Sequence, residues 1–311
     1  SFIAQGNSIT INHSKIDLKI NQIGDNLGVS VTNSQLRSVE TVGENSPITL
    51  YNSTILESTN AGLRTTRENS PITLTYSFVR DCAGVGIETV GDNSHIYLNS
   101  SMVSNNGSYG IRSNSQINAN YSNVTFNQDI GLNLMGNSFS SIKNSIIWGN
   151  DIINYKQINT NAGVTSITYS SVQGLNAYGT IGGQYYFGDG SIDDDPVFTD
   201  QLNQHLSTFS NCVDAGTPWE NDNHMPFGLG GVRADIGIYG GPDNWFWGGN
   251  PIPDGSPIVT AISDSPQDQG GQVGVLFNKS VWDNNELENK VVSYSIWRHF
   301  DSNGNTIDTI S

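Results

Sequence analysis

The chain has 311 residues, of which 35% are hydrophobic and only 14% charged, and it contains 34 glycines and 10 prolines. This composition favours short strands joined by tight turns, and no stretch shows the sustained 3.6-residue apolar period of a helix. The formal net charge is −16, with 13 lysines and arginines, which argues against a nucleic-acid partner because phosphates require a basic face. No apolar run reaches the length of a membrane-spanning helix, so we expect no membrane insertion.

The first half of the chain is built from an internal repeat. The hexapeptide Asn-Ser-Pro-Ile-Thr-Leu at residues 45–50 returns at residues 69–74 and, with two changes, at residues 93–98, so the two steps are equal in length. Weaker copies carry the same apolar anchor at similar intervals along the chain. The anchors are Ile9, Val29, Ile48, Ile72, Ile96, Ile117, Ile142 and Ile167. Repeats of this size cannot bury an apolar side alone, which predicts a stacked solenoid.

Each repeat holds two further apolar stretches. One ends in Ser-x-Val or Ser-x-Ile, as at residues 53–55 and 77–79, and the other begins with Gly-Leu or Gly-Ile, as at residues 62–65 and 86–89. Three short strands and three turns per repeat predict one coil of a parallel β-helix, with coils about 4.8 Å apart. A leucine-rich solenoid has similar periods but needs a leucine frame that is absent. We expect regular coils to about residue 178.

Stacked coils turn equivalent positions into columns. One column alternates in sign, and its members are Glu40, Arg64, Glu88 and Arg112. Neighbours in it should lie about 4.8 Å apart and form an exposed ladder of charges. We interpret the ladder as structural, fixing the register between coils, with a binding stripe as the alternative.

A second column is acidic, and its members are Asp25, Glu44, Glu68 and Asp92. Aligned carboxylates repel one another unless something neutralises them, and oxygen ligands at this spacing suit Ca²⁺. The alternative is that Gly-Asp/Glu-Asn simply forms the turn. A calcium ion at this column is therefore possible, and no cofactor is required by the pattern.

The later part of the chain carries motifs that identify a class of protein. They are Ile192-Asp-Asp-Asp-Pro-Val-Phe198, Cys212-Val-Asp-Ala-Gly216 and Arg233-Ala-Asp-Ile-Gly-Ile-Tyr-Gly-Gly-Pro242. In this order they resemble the C-terminal coils and cap of right-handed β-helix repeat proteins from bacterial secretomes. The resemblance covers roughly residues 1–242. It implies a right-handed, three-sheet helix with an irregular C-terminal part and cap at residues 179–242.

The same resemblance implies a place in the cell and roles for several residues. Such proteins are large, multidomain and secreted or attached to the cell surface, many through type IX secretion. Asp193, Asp195, Arg233 and Asp235 would then be structural residues of the cap, with the last two as a pair.

The remaining residues are expected to form a different module. A linker is expected at residues 243–257, and residues 258–311 resemble the start of a fibronectin type III-like domain, an immunoglobulin-like β-sandwich that is truncated here. Residues 258–262, 268–277 and 291–298 correspond in this resemblance to its first strands, with the alternation of a half-buried sandwich.

No set of residues predicts a catalytic site. Arg80-Asp81 is one isolated pair, and Asp193-Asp194-Asp195 offers carboxylates, but a base converging from an adjacent coil is missing. Three tyrosines, Tyr97, Tyr121 and Tyr169, are not expected to share a column, which counts against a sugar-stacking stripe. The five histidines are scattered, so a metal or triad cluster is not expected.

The two cysteines lie far apart in the expected solenoid. Cys82 belongs to the fourth coil and Cys212 lies beyond the eighth, which exceeds the distance that a disulfide can span. Both are expected to be free, buried thiols.

Two functions remain. The first is a non-catalytic, secreted or cell-surface structural or adhesive module whose partners are extracellular glycans or other surface proteins. The alternative is a β-helix that binds or cleaves polysaccharides, so the question of an enzyme stays open, although the residues favour none.

Overall fold

The computed structural model describes residues 2–175, 181–222 and 233–242, and the backbone of four strands beyond them. Contacts divide the chain into two units, Ser1–Pro251 and Ile252–Ser311. The described residues contain strands and turns and no helix. None of these residues therefore forms a helix that could cross a membrane.

The strands of the first unit are short, and most have three or four residues. In chain order they are β1 (Phe2–Gln5), β2 (Ile9–Asn12), β3 (Lys15–Ile23), β4 (Val29–Thr32), β5 (Gln35–Val42), β6 (Ile48–Tyr51), β7 (Thr54–Leu56), β8 (Leu63–Thr65), β9 (Ile72–Thr75), β10 (Phe78–Arg80), β11 (Ile87–Thr89), β12 (Ile96–Asn99), β13 (Met102–Ser104), β14 (Ile111–Ser113), β15 (Ile117–Asn120), β16 (Asn123–Thr125), β17 (Leu132–Leu134), β18 (Phe139–Lys143), β19 (Ile146–Trp148), β20 (Ile158–Thr168), β21 (Ser171–Val172) and β22 (Ile181–Phe187).

These strands stack in parallel into three faces of a β-solenoid, as the repeat predicts. The first face is β2, β4, β6, β9, β12, β15, β18, the end of β20 and the end of β22. The second face contains β7, β10, β13, β16, β19 and β21, preceded by the beginnings of β3 and β5. The third face contains β1, the ends of β3 and β5, then β8, β11, β14, β17 and the beginning of β20.

The core is a stack of aliphatic side chains that point inward from all three faces. Ile48, Ile72 and Ile96 pair in register and are fully buried, which confirms the stacking predicted from the repeated hexapeptide. The predicted anchor series is wrong at one step, because Ile142 stacks on Ala119 and not on Ile117. Alternating side chains point outward, as expected for strands.

Each regular coil turns three times, and many of these turns use a residue in the left-handed conformation. After the first face these residues include Asn52 and Tyr76, with φ of 47° and 50°, and each is followed by a buried serine. The hydroxyl of Ser77 accepts the N–H of Ser53 at 3.1 Å and donates to the carbonyl of Thr75 at 2.8 Å. This pattern repeats along the column, so the serines satisfy buried N–H groups that the turn leaves free of the sheet.

The segment after residue 197 leaves the solenoid and folds back along it. Phe78 and Met102, which point outward from the second face, form a buried cluster with Ile238 and Tyr239. Ile146, from the same face, packs with Leu206, Cys212 and Ile236 in another cluster. Residues 198–222 and 233–242, named here the fold-back segment, therefore lie against the side of the solenoid. The expected further coils end with β22 and an isolated bridge between Ser171 and Ile192.

The second unit is described only by four strands. β23 (Ile258–Asp264) and β24 (Val273–Asn278) form one antiparallel pair, and β25 (His299–Phe300) and β26 (Thr306–Ile307) form another. The first pair agrees with two of the expected strands. The expected strand at 291–298 and the linker at 243–257 lie outside the described residues, so the sandwich stays a prediction.

Candidate functional site

The charge ladder lies on the third face in the expected register. Glu40, Arg64, Glu88 and Arg112 pair in successive coils. Arg64 contacts Glu40 through Nη1 at 3.0 Å and Glu88 through Nε at 2.8 Å, while Arg112 Nη1 lies 3.5 Å from Glu88. The glutamate side chains are 14% and 15% exposed and those of the arginines 41% and 42%, so the guanidinium groups cover the carboxylates.

A cleft of about 370 Å³ opens at the N-terminal end of this ladder. It forms because coil length changes there. In the early coils β5 runs from the second face to the third without a loop, whereas in the next coil residues 57–62 loop out between β7 and β8. Ser58, Thr59 and Asn60 of that loop form one wall of the cleft.

The opposite wall comes from a bulge in β3. Asp17 and Leu18 together oppose the single residue Arg37 of β5, because Ile16 pairs with Leu36 and Lys19 with Ser38. Such a bulge bends a strand and redirects its side chains. Asp17 and Leu18 therefore project from the sheet and line the cleft with Lys19 and Arg37.

The charges of the cleft are paired with one another. Arg37 hydrogen-bonds Asp17 and donates to the carbonyl of Glu57 at 3.1 Å. The hydrogen bond from Arg37 lowers the pKa of Asp17, and the same contact raises the pKa of Arg37. Lys19 forms an ion pair with Glu40. The cleft thus offers three cations, three carboxylates, hydroxyls and an amide, which can hydrogen-bond a neutral polyhydroxy ligand.

The acidic column forms turns. The N–H groups of Asn26, Asn45 and Asn69, all in the left-handed conformation, donate to the carbonyls of Glu44, Glu68 and Asp92 in the next coil. The carboxylate of Asp25 accepts the N–H of Glu44 at 2.9 Å. Among the described residues no three His, Cys, Asp or Glu side chains are grouped to hold a metal ion. These contacts agree with the turn interpretation, and calcium stays a prediction.

The residues expected in the cap do not form one cluster. The carboxylate of Asp193 accepts the N–H of Gly174 at 2.7 Å, and that of Asp195 accepts the N–H of Val197 at 2.8 Å. Arg233 donates to the carbonyls of Gly216 and Ala215 at 2.6 and 2.9 Å. Within the described residues it makes no ion pair with Asp235, and the structural pairing of these two residues in a cap stays a prediction.

Sequence reasoning named Asp235 as a cap residue but missed the acidic group that it forms with Asp222 in the fold-back segment. Asp235 is fully buried and Asp222 is 5% exposed. Nearby, Glu220 accepts a hydrogen bond from Tyr121 and pairs with Lys143 at 3.0 Å. Burial raises the pKa of Tyr121, and the contact with Glu220 adds to this shift. The sequence indicated this group by the acidic residues that lie within and between the motifs at residues 212–216 and 233–242.

The three tyrosines do not all share one column, as expected, because Tyr97 lies within β12. Tyr121 and Tyr169 do occupy one turn column, two coils apart, with Asn144 between them. The backbone N–H of each of these three residues donates to a carbonyl of the next coil, and the acceptors are Lys143, Thr168 and Asp189 in turn. However, Tyr121 is 5% exposed. Tyr169 packs edge-on against Trp219 with ring centroids 6.1 Å apart. The column therefore supports the fold-back segment, and no continuous aromatic stripe is exposed along the described part of this column.

Arg80 and Asp81, the pair noted in the regular coils, contact each other. Arg80 Nη1 lies 3.5 Å from Asp81, and Asp81 also accepts a hydrogen bond from Asn105. Asp194 contributes its backbone carbonyl to a hydrogen bond with the hydroxyl of Ser171 at 2.9 Å. Neither position gathers an acid and a base at the distance that proton transfer needs.

Comparisons with known proteins add no relative. No protein-family model, curated protein or solved structure shows a significant match to the chain. The class of this protein therefore rests on its own architecture, which is an all-β parallel solenoid with a charged cleft on its third face.

Proposed function

We propose that the chain is a non-catalytic structural or adhesive module of a larger secreted or cell-surface protein. Its partners would be extracellular glycans or other surface proteins. The resemblance of its terminal motifs to right-handed β-helix repeat proteins supports right-handed winding, a following fibronectin type III-like domain and type IX sorting as parts of this proposal. The net charge of −16 supports partners other than nucleic acids.

The observation that carries the proposal is that the polar side chains of the solenoid are used by the next coil. Serines and asparagines of the turns bond to neighbouring backbone groups, and the ladder charges pair among themselves. Stacked polar groups of this kind rigidify a structure when they are satisfied. A general acid or base needs a free group aimed at a substrate, whereas a spacer needs this stiffness.

A search for polysaccharide cleavage tests the proposal. The purified chain is incubated with uronate-rich and neutral polysaccharides, with calcium and with a chelator, and new unsaturated or reducing ends are measured. We expect none. Products that disappear in Arg80→Ala or Asp194→Ala would replace the proposal with an enzyme, and products that require calcium would place the ion in its mechanism.

The cleft supports a second candidate function, which is polysaccharide binding. Its loop wall and bulge present hydroxyls, an amide and paired charges on one exposed surface, and the walls are fixed by strands. Affinity electrophoresis in gels that contain neutral or acidic polysaccharides tests it. We expect retardation that falls in Arg64→Ala and persists in Arg67→Ala, since Arg67 is exposed and lies outside the cleft. Equal retardation of the two variants would exclude the cleft.

A further inference from the structure

The two described parts of the fold-back segment are joined by a pair of buried carboxyl groups. The N–H of Asp235 donates to Asp222 Oδ2 at 2.7 Å, and the N–H of Gly241 donates to the other oxygen of Asp222. Asp235 Oδ1 accepts the N–H of Asp214 at 2.7 Å. Asp235 Oδ2 is buried and has no hydrogen-bond partner within the described residues.

The charges around this pair are mostly negative. Burial raises the pKa of both carboxyl groups, and repulsion from the charge of Asp214 adds to the shift of each. The nearby cations are engaged elsewhere, since Lys143 pairs with Glu220 and Arg233 donates to backbone carbonyls. Two further titratable groups face the pair, the hydroxyl of Tyr121 beside Asp222 and the buried thiol of Cys212 beside Asp235. No described cation therefore neutralises the pair.

Two buried carboxylates in contact cannot both be ionised at low cost, so one must keep its proton. A protonated Asp235 would turn the unpaired Oδ2 into a donor, and the neighbouring Asp222 is the acceptor within reach. We propose that Asp222 and Asp235 form a proton-dependent latch that holds the two described parts of the fold-back segment together and, as the pH rises, lets the segment loosen from the second face of the solenoid.

The sign of the effect follows from burial, which is the main cause that raises the pKa of both Asp235 and Asp222. In the undocked segment these groups return to the ordinary carboxyl range, near pH 4. Docking is therefore fully stabilised below about pH 4 and weakens as the pH rises toward the raised values. One proton released on undocking changes the docking equilibrium about tenfold for each pH unit in that interval.

The two cysteines provide the measurement. Cys212 lies in the fold-back segment, packed with Ile146 and Ile236, whereas Cys82 lies in the solenoid core. Opening of the latch exposes Cys212 alone, while global unfolding exposes both. Each thiol is alkylated by iodoacetamide from about pH 5 to about pH 9 and followed by mass spectrometry, and each rate is divided by the rate of the same cysteine in the denatured chain at that pH, which removes the dependence on thiolate. The normalised Cys82 rate reports global unfolding, and a normalised Cys212 rate above it reports opening of the segment.

The decisive variant is Asp235→Asn, whose amide imitates the protonated acid. We expect the normalised Cys212 rate of the wild type to rise about tenfold per pH unit and then level off, and the normalised rate of the variant to stay flat. Asp189→Asn, an exposed aspartate with the same charge change, should follow the wild type. If Asp235→Asn does not fold, Asp214→Asn is used in its place, because it removes the charge that repels the pair and should make the normalised Cys212 rate level off at a lower pH.

Two results would overturn the latch. A normalised Cys212 rate of the wild type that is constant over the whole range means that no proton controls docking. A normalised Cys212 rate that rises equally in wild type and variant assigns the pH dependence to another group. Because this experiment measures docking within the chain, its failure leaves the proposed structural or adhesive function untouched.

Discussion

The backbone N–H of Cys82 donates to Oδ1 of Asn106 at 3.1 Å, one coil further along the solenoid. The same bond joins Asn106 to Asn127 and Asn127 to Asn150, each at 3.1 Å, and side-chain amides add bonds of 2.8 Å. Cys82 thus lies at the position before Asn106 in a buried stack of side-chain amides, and its thiol does not add an amide to the stack. The stack holds the turns between the second and third faces together.

Removing one amide from this stack should be costly. Asn127→Leu leaves the N–H and the amide of Asn106 without their acceptor, and each buried unsatisfied donor costs about 1–3 kcal/mol. We expect the free energy of unfolding to fall by about 2–5 kcal/mol, measured by urea denaturation. Asn118→Leu, at a half-exposed strand position, is the matched control and should change it by less than about 1 kcal/mol.

The sequence showed this architecture most clearly where the coils have equal lengths. Ile48, Ile72 and Ile96 could be aligned because closely similar hexapeptides recur at the same step. The alignment failed at Ile142, which stacks on the small Ala119. An apolar anchor identifies the buried face of a strand, but two inward positions per strand look alike, so a change in turn length shifts the register without any visible signal.

A glycine precedes the regular strands of the third face, and the reason for it can be tested at Gly86, which comes before β11. A Cβ on Gly86 would lie 2.6 Å from the carbonyl oxygen of Gly110 in the next coil. Because that oxygen belongs to the sheet backbone, the coils must separate locally. Gly86→Ala should lower the stability by about 1–3 kcal/mol and show a lower midpoint in thermal denaturation. An unchanged midpoint would mean that the coils part easily here.

The ladder should contribute little to stability despite its regularity. Glu88→Gln removes the charge that Arg64 and Arg112 share, but the two arginine side chains are 41% and 42% exposed. Ion pairs at such sites contribute about 0–1 kcal/mol. We expect a loss of less than about 1 kcal/mol that disappears in high salt. A loss above about 2 kcal/mol would show that the ladder is more than a register device.

Both cysteines are free and buried, as expected from the sequence. Burial raises the pKa of Cys82 and of Cys212 to about 12, so little thiolate exists in the folded chain. Ellman titration at about pH 8 should therefore be slow for the native protein and should find two thiols at once in denaturant. Fewer than two in unreduced, denatured protein would mean a disulfide between chains.

The fold-back segment and the cleft could not be derived from the repeat. Both depend on contacts between residues far apart in the chain, such as Gln204 with Asn123 and Thr125 at 2.9 and 2.7 Å. The sequence did indicate that something covers the second face. The middle residue of the Ser-x-Val motif points outward, and large apolar residues occupy it where contact with solvent would favour polar ones. This position is occupied by Phe78, Met102 and Ile146. The only sequence feature that indicated the cleft is the repeat length, which increases after the third anchor, Ile48.

These outward residues allow the fold-back segment to be detached without damage to the solenoid. Met102 is fully buried and packs with Tyr239 and Ile238, so Met102→Asp would place an unpaired charge under the segment at a cost that docking cannot balance. The next residue, Val103, keeps its inward core contacts. We expect the far-ultraviolet circular dichroism of the strands to persist while Cys212 becomes reactive and Cys82 stays protected. Thr73→Asp, on the outward side of the first face, should leave both thiols protected. Joint exposure of the two thiols in Met102→Asp would instead show that the segment and the solenoid fold as one cooperative unit.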